Sequence, residues 1–220
     1  MMDVDPPLIL LPGMADDGRL FRHQRTALSF LCTPDWIEPL DREPLADYAQ
    51  RFAQAIAPGR RCFVGGASFG GLVALEMAAH LRAEACFLVA SVRSDREFPW
   101  RLRALRPAAT LGPTGLGQVA AWVARSLAPF LPGVVVGRLD RLSNPQSAFL
   151  RWASWAALTW QPSANTRGVR VFQIHGSADR TFPVKHTCPD VVVTGAGHLL
   201  PFTHPEAVNE FIRRRLIECG

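Results

Sequence analysis

Short apolar runs that alternate with helical patterns constrain the fold of this chain more than any other feature. The runs are continuous rather than alternating in polarity, which is typical of strands covered on both faces, as in a parallel sheet. Helical spacing of apolar residues fills the intervals between them. We therefore predict an α/β fold. The runs lie at residues 8–11, 62–64, 85–90, 169–174 and 191–193, with a weaker one at 36–37, and helices are predicted near 19–31, 44–56, 72–79 and 203–216.

The alternation breaks between residues 95 and 165, where Pro, Gly and short helical pieces replace it. Residues 95–164 contain eight arginines and three acidic residues, which accounts for the whole net charge of +5. We predict a core formed by residues 1–94 and 166–220 and a helical cap inserted at 95–165. The tryptophans of this insertion either pack its helices or line an apolar pocket. They are Trp100, Trp122, Trp152, Trp155 and Trp160.

Composition excludes several classes of protein. The chain of 220 residues is 48% hydrophobic and 20% charged, which excludes a disordered or collagen-like protein. Five cysteines without a C-x-x-C pair argue against a zinc ribbon or a thioredoxin motif. We find no metal-binding cluster, no nucleic-acid motif, no signal peptide and no apolar run of about 20 residues that would span a membrane. A cytoplasmic protein is expected.

The sequence G-A-S-F-G at residues 66–70 follows one apolar run and precedes a helical segment. In such a strand–turn–helix unit the serine sits on a sharp turn with its hydroxyl exposed, and glycines let the strand and the helix pack closely. The helix N-terminus directs N–H groups toward negative charge that develops at the turn. We therefore predict that Ser68 is a nucleophile rather than part of a glycine-rich phosphate loop.

A serine hydroxyl needs a base, and the base needs an acid that orients it. Asp179 follows the run at 169–174, and His198 follows the run at 191–193, so both would meet Ser68 at one edge of a parallel sheet. Asp95 is the alternative acid and His204 the alternative base. We favour Asp179 as the acid, and we favour His198 as the base because His204 falls at a predicted helix start, where a capping or surface role is expected.

These motifs, G-A-S-F-G, H-G-S-A-D-R-T-F-P and G-A-G-H in that order, resemble those of serine hydrolases of the α/β-hydrolase superfamily over essentially the whole chain. The resemblance implies a mostly parallel sheet of about six strands flanked by helices. It implies an oxyanion hole formed by two backbone N–H groups, one from Phe69 and one from Met14, with Ala15 as the alternative to Met14. Many relatives have His-Gly before this position, where this chain has Pro12-Gly13.

The resemblance implies acyl transfer to water by a Ser68–His198–Asp179 triad, without a metal or an organic cofactor. The expected substrates are small-molecule carboxylic esters with small to medium acyl groups. The alternative is a thioesterase or methyl-esterase that holds coenzyme A or an acyl-carrier protein with insertion arginines such as Arg138 and Arg141. A non-catalytic binder with this fold is a third possibility.

Overall fold

Six parallel strands form one sheet in the order β2-β1-β3-β4-β5-β6. A computed structural model describes residues 6–14, 19–115 and 148–219 of the chain. The strand count and the parallel arrangement confirm the predicted fold class. The strands are Leu8–Leu11 (β1), Leu31–Cys32 (β2), Phe63–Ala67 (β3), Cys86–Val89 (β4), Val171–Gly176 (β5) and Val191–Val193 (β6).

Eight α-helices lie wholly within these parts of the chain, together with three short 3-10 helices at Asp95–Glu97, Ala164–Thr166 and Val184–His186. No helix in the described ranges is long and apolar enough to cross a membrane. The α-helices are Arg22–Ala27 (α1), Leu45–Ile56 (α2), Phe69–His80 (α3), Trp100–Arg103 (α4), Arg106–Ala109 (α5), Ala148–Thr159 (α6), Leu200–Thr203 (α7) and Pro205–Ile217 (α8).

Helices cover both faces of the sheet. Helices α2 and α3 pack together, and α3 also packs on β1, β3 and β4, while α1 packs against α7 and α8. Phe87 of β4 is fully buried on the face of the sheet that α8 covers. Its ring contacts the rings of Phe63 and Phe172 on the neighbouring strands. It also meets the ring of Phe211 of α8 edge-on, with 6.1 Å between the centroids. Continuous apolar strands are therefore explained by burial on both sides.

The chain between α1 and α2 differs from the sequence prediction. The helix predicted at 19–31 ends at Ala27, and the weak strand predicted at 36–37 is a loop. Strand β2 lies earlier, at Leu31–Cys32, and pairs with β1. Trp36 instead packs its ring on Phe52 and Phe69, so side-chain burial rather than sheet pairing explains the apolar residues there.

The chain divides into two compact units. The first comprises Met1–Ile37, Leu45–Pro99 and Gln161–Gly220 and contains the whole sheet. The second comprises Glu38–Pro44 and Trp100–Trp160. The cap boundaries predicted at residues 95 and 165 stay a prediction.

Within the second unit, indole N–H groups tie helices to neighbouring backbone. Trp152 of α6 donates from Nε1 to the carbonyl of Glu43 at 2.9 Å, and Trp155 donates to the carbonyl of Ala109 at 2.9 Å. Trp152 is buried, whereas Trp100 is 71% exposed. These hydrogen bonds favour a packing role for the two α6 tryptophans. Residues Trp122, Arg125, Arg138, Asp140 and Arg141 lie outside the described residues.

Candidate active site

Ser68 lies in the turn between β3 and α3 with φ 52° and ψ −120°. A positive φ is rare for a residue with a Cβ, and such strain persists only where surrounding contacts enforce it. The Ser68 N–H donates to the carbonyl of Val89 at 3.1 Å. The Ser68 carbonyl accepts from the Ser91 hydroxyl at 2.7 Å and from the Gly71 N–H at 3.0 Å. The turn is therefore held on both sides of its serine.

Two glycines allow this turn to form. A Cβ on Gly66 would collide with the backbone of Gly70, and a Cβ on Gly70 would collide with the carbonyl oxygens of Leu11 and Pro12. The start of α3 therefore touches the end of β1, which pairs with β3 through Leu11 and Gly66. Small residues at 66 and 70 are a steric requirement of this contact.

His198 lies in the loop after β6 and faces Ser68. Its Nε2 lies 2.9 Å from the Ser68 Oγ, and its Nδ1 lies 2.8 Å from Oδ2 of Asp179. An ionised carboxylate only accepts hydrogen bonds, so Nδ1 carries the hydrogen and Nε2 offers its lone pair to the serine hydroxyl. The imidazole is thus oriented as a base toward Ser68.

Asp179 follows β5, and its side chain is completely buried. Its Oδ1 accepts from the N–H groups of Thr181 at 2.7 Å and Phe182 at 3.0 Å, while Oδ2 accepts from His198. Three hydrogen bonds to one carboxylate offset the cost of burying its charge. The carboxylate is therefore held in place beside the imidazole.

The loops after β5 and β6 are tied together, which sets the separation of Asp179 from His198. The N–H of Ala178 donates to the carbonyl of Ala196 at 2.9 Å. A Cβ on Gly176 would collide with that same carbonyl, so the two loops touch. Neighbouring parallel strands thus bring the two side chains to one edge of the sheet.

An aromatic pair borders the imidazole. The Phe182 ring meets the ring of His198 edge-on, with centroids 5.6 Å apart, and its other neighbour is Phe98, stacked at 5.7 Å with an interplanar angle of 9°. Phe98 and Phe182 are both buried. Sequence reasoning included Phe182 in a motif but gave it no role, because the contact to His198 depends on tertiary structure.

The residues predicted for the oxyanion hole lie at the ends of adjacent strands. Phe69 is the first residue of α3, directly after Ser68, and Met14 follows β1 three residues after Leu11. Ala15, the alternative to Met14, lies outside the described residues. The role of these two N–H groups stays a prediction.

The alternative acid and base occupy other positions. Asp95 begins a 3-10 helix after β4, whereas the carboxylate on His198 is that of Asp179. His204 precedes α8, and its Nδ1 lies 2.9 Å from the hydroxyl oxygen of the neighbouring Thr203. The geometry brings together Ser68, His198 and Asp179 and neither of these two residues.

One further histidine, His175, lies beside the site, and its sequence position at a strand end next to Gly176 indicates a structural role. His175 is fully buried at the end of β5, with Nε2 at 2.7 Å from the carbonyl of Ser91 and Nδ1 at 4.0 Å from Oδ2 of Asp179. Burial lowers the pKa of His175, although the Ser91 contact and the Asp179 charge oppose the shift. The only sequence signal is its position four residues before Asp179.

The residues that the structure describes contain no group of three or more His, Cys, Asp or Glu side chains able to hold a metal ion. All five cysteines are free thiols. Burial raises the pKa of Cys86 in β4, so this thiol is neutral and packs as an apolar side chain.

Comparison with known structures agrees with this fold. A thermophilic esterase from Thermogutta terrifontis has a TM-score of 0.65 and 20% identity, covering 97% of this chain and 90% of that chain. An esterase from Rhodococcus sp. ECU1013 has a TM-score of 0.60 and 17% identity, covering 98% and 91%. ClbQ from the colibactin NRPS/PKS pathway has a TM-score of 0.60 and 15% identity, covering 99% and 100%.

Sequence comparison identifies the family. No curated protein is significantly similar to this chain in sequence. Residues 8–211 match the model of the Alpha/beta hydrolase family. Because these residues make up most of the chain, the protein belongs to the alpha/beta hydrolase family.

Proposed function

We propose that this protein is a serine hydrolase that cleaves carboxylic esters through an acyl-enzyme intermediate. One observation carries the proposal: the Ser68 Oγ lies 2.9 Å from the His198 Nε2, and the Nδ1 of the same ring lies 2.8 Å from Asp179. A hydroxyl at this distance from an oriented imidazole can lose its proton as it attacks a carbonyl carbon. Esterases among the structural neighbours are consistent with this chemistry.

The first half-reaction forms the acyl-enzyme. Ser68 Oγ attacks the ester carbonyl while His198 Nε2 takes its proton, and Asp179 stabilises the resulting imidazolium. The negative charge moves to the former carbonyl oxygen, where the N–H groups of Phe69 and Met14 would hold it at the N-terminus of α3. His198 then returns the proton to the leaving alcohol, and the C–O bond breaks.

The second half-reaction releases the acid. His198 takes a proton from water, the hydroxide attacks the acyl carbon, and Ser68 leaves with the proton that His198 gives back. The atoms balance with one water consumed per ester. This chemistry needs no metal or organic cofactor, because the three side chains supply the nucleophile, the base and the acid. The five free thiols favour a cytoplasmic setting.

A labelling experiment tests the nucleophile. A fluorophosphonate probe should label the wild-type protein and leave Ser68→Ala unlabelled, while Ser29→Ala, which removes an exposed serine, should be labelled normally. Hydrolysis of p-nitrophenyl butyrate should follow the labelling. Labelling that persists in Ser68→Ala would contradict the proposal, and a folded wild type that neither reacts nor hydrolyses would favour the non-catalytic binder.

A comparison of substrates decides between esters and thioesters. The excess of arginines at residues 95–164 motivates an acyl-CoA arm beside a series of p-nitrophenyl esters from acetate to decanoate. We expect higher kcat/KM for the short and medium esters. A preference for the thioester would retain the Ser68 chemistry and replace the substrate class.

A further inference from the structure

Among the described residues, His175 is the one buried titratable side chain at the site that the proposed reaction does not use. Its ring is completely buried between β4 and the turn that carries Asp179. Nε2 lies 2.7 Å from the carbonyl oxygen of Ser91. Nδ1 lies 4.0 Å from Oδ2 of Asp179 and has no hydrogen-bond partner within the described residues. A buried nitrogen in this state calls for an explanation.

The Ser91 contact fixes the tautomer. A carbonyl oxygen can only accept, so Nε2 of His175 carries the hydrogen and the Nδ1 lone pair faces the Asp179 carboxylate. The Gln173 amide donates to the same Ser91 carbonyl at 2.8 Å. Two donors therefore hold the position of the Ser91 backbone.

Ser91 in turn contacts the nucleophile turn. Its hydroxyl donates to the Ser68 carbonyl at 2.7 Å. That carbonyl belongs to the residue with positive φ, whose conformation requires outside support. The pairing of β4 with β5 through Val89 and Ile174 places Ser91 beside His175. A continuous set of hydrogen bonds thus runs from the His175 imidazole through Ser91 to the backbone of Ser68.

We propose that His175 is a positioning residue that, through Ser91, supports the Ser68 turn and keeps the Ser68 hydroxyl in register with the His198 imidazole. This inference rests on the proposed function of that same site. The hydrogen bonds form a continuous row from His175 to Ser91, from Ser91 to Ser68, from Ser68 to His198, and from His198 to Asp179.

The row of hydrogen bonds forms with His175 neutral. A protonated His175 would carry Nδ1–H toward Oδ2 of Asp179, the oxygen that binds His198, and would compete for it. The groups that face His175 are Asp179 and His198 from the loops after β5 and β6, and Glu97 by way of the Gln173 amide. Burial and the His198 charge lower the pKa of His175, and the Asp179 charge opposes them.

The kinetic test uses variants that separate the donor from the bulk of the ring. His175→Gln retains an N–H near the Nε2 position, and His175→Phe fills the space without one. With p-nitrophenyl butyrate we expect kcat of His175→Phe to fall about 10-fold at constant KM, Ser91→Ala to fall similarly, and the double variant to fall little further. His175→Gln should retain most of the activity. Tyr48→Phe, which loses a buried hydrogen bond of 2.9 Å to Ile37, is the control for stability alone.

The pH profile adds a readout that a merely structural role would not change. In the wild type, protonation of His175 should add an acid limb to kcat/KM at a pH below 6.5, and His175→Gln should lack this limb. Full wild-type kcat in folded His175→Phe, with an unchanged acid limb, would overturn the inference while leaving the proposed function intact.

Ring ¹⁵N spectra of histidine-labelled protein decide the inference even if p-nitrophenyl butyrate is not hydrolysed and Ser68 is not labelled. One imidazole should appear as the Nε2–H tautomer and titrate below its ordinary pKa of 6.5. That signal should vanish in His175→Gln, and the His198 ring signals should move in His175→Phe but not in Tyr48→Phe. Unchanged His198 ring signals in His175→Phe would refute the inference.

Discussion

Asp179 and His198 stand at the ends of neighbouring parallel strands, and their 2.8 Å contact joins Oδ2 to Nδ1. The carboxylate is fully buried, whereas the histidine side chain is 23% exposed. The carboxylate is therefore shielded from water, and the imidazole remains accessible at the edge of the sheet. This asymmetry suits a pair in which one member only orients and the other exchanges protons.

Asp179→Asn is expected to lower kcat for p-nitrophenyl butyrate by about 10³- to 10⁴-fold, because an amide can present its N–H to Nδ1 and favour the wrong tautomer. KM should change little. Asp95→Asn, the matched control at the alternative acid, should stay within about 2-fold of the wild type. Comparable losses in the two variants would return Asp95 to consideration.

Gly70→Ala is expected to destabilise the protein by about 1–3 kcal/mol or more, because its Cβ would collide with the rigid backbone carbonyls of Leu11 and Pro12. Gly13→Ala has no atom within 4 Å of the added Cβ and should change the free energy of unfolding by less than about 0.5 kcal/mol. Urea unfolding of both variants measures the difference. Equal stabilities would mean that the loop after β1 can move away from α3.

Sequence reasoning singled out Ser68, Asp179 and His198 because each lies in the turn or loop that follows a predominantly apolar strand. In a parallel sheet the strand ends share one edge, so local patterns imply a long-range arrangement. The helix Leu45–Ile56 was equally predictable, since Pro44 precedes a clear amphipathic face.

Other features depend on contacts that no local pattern encodes. Strand β2 has only two residues and exists because Leu31 and Cys32 pair with β1. The hydrogen bond of His175 to Ser91 spans 84 positions and arises from the register of β4 with β5. An isolated histidine at a strand end gives no sign of that partner, which explains its interpretation as merely structural.

Phe182→Leu is expected to lower kcat about 3- to 10-fold with little change in KM, because the edge-on contact to His198 and the stacking on Phe98 are lost. The Phe182 N–H to Asp179 is a backbone bond and should persist. Phe87→Leu, which alters an aromatic cluster of the core, controls for stability. Steady-state kinetics on fully folded samples should show the kcat loss in the first variant only.

Glu97 should make the free energy of unfolding depend on pH. Burial raises the pKa of this carboxyl above 4.5, although hydrogen bonds from the Arg93 N–H and the Gln173 amide oppose the shift. From pH 4.5 up to the folded-state pKa, the native state keeps a proton that the unfolded chain has lost, so stability falls as the pH rises through that window. Glu97→Gln removes this loss.

Urea unfolding of wild type, Glu97→Gln and His175→Gln between pH 4.5 and 8 tests the pH dependence of stability that Glu97 and His175 each contribute. The stability of Glu97→Gln relative to wild type should increase as the pH rises from 4.5 and then level off. For His175 the lowered pKa means that the unfolded state alone binds a proton below pH 6.5, so the relative stability of His175→Gln should increase as the pH falls through 6.5. Parallel curves for the three proteins would show that neither buried group changes its proton affinity on folding.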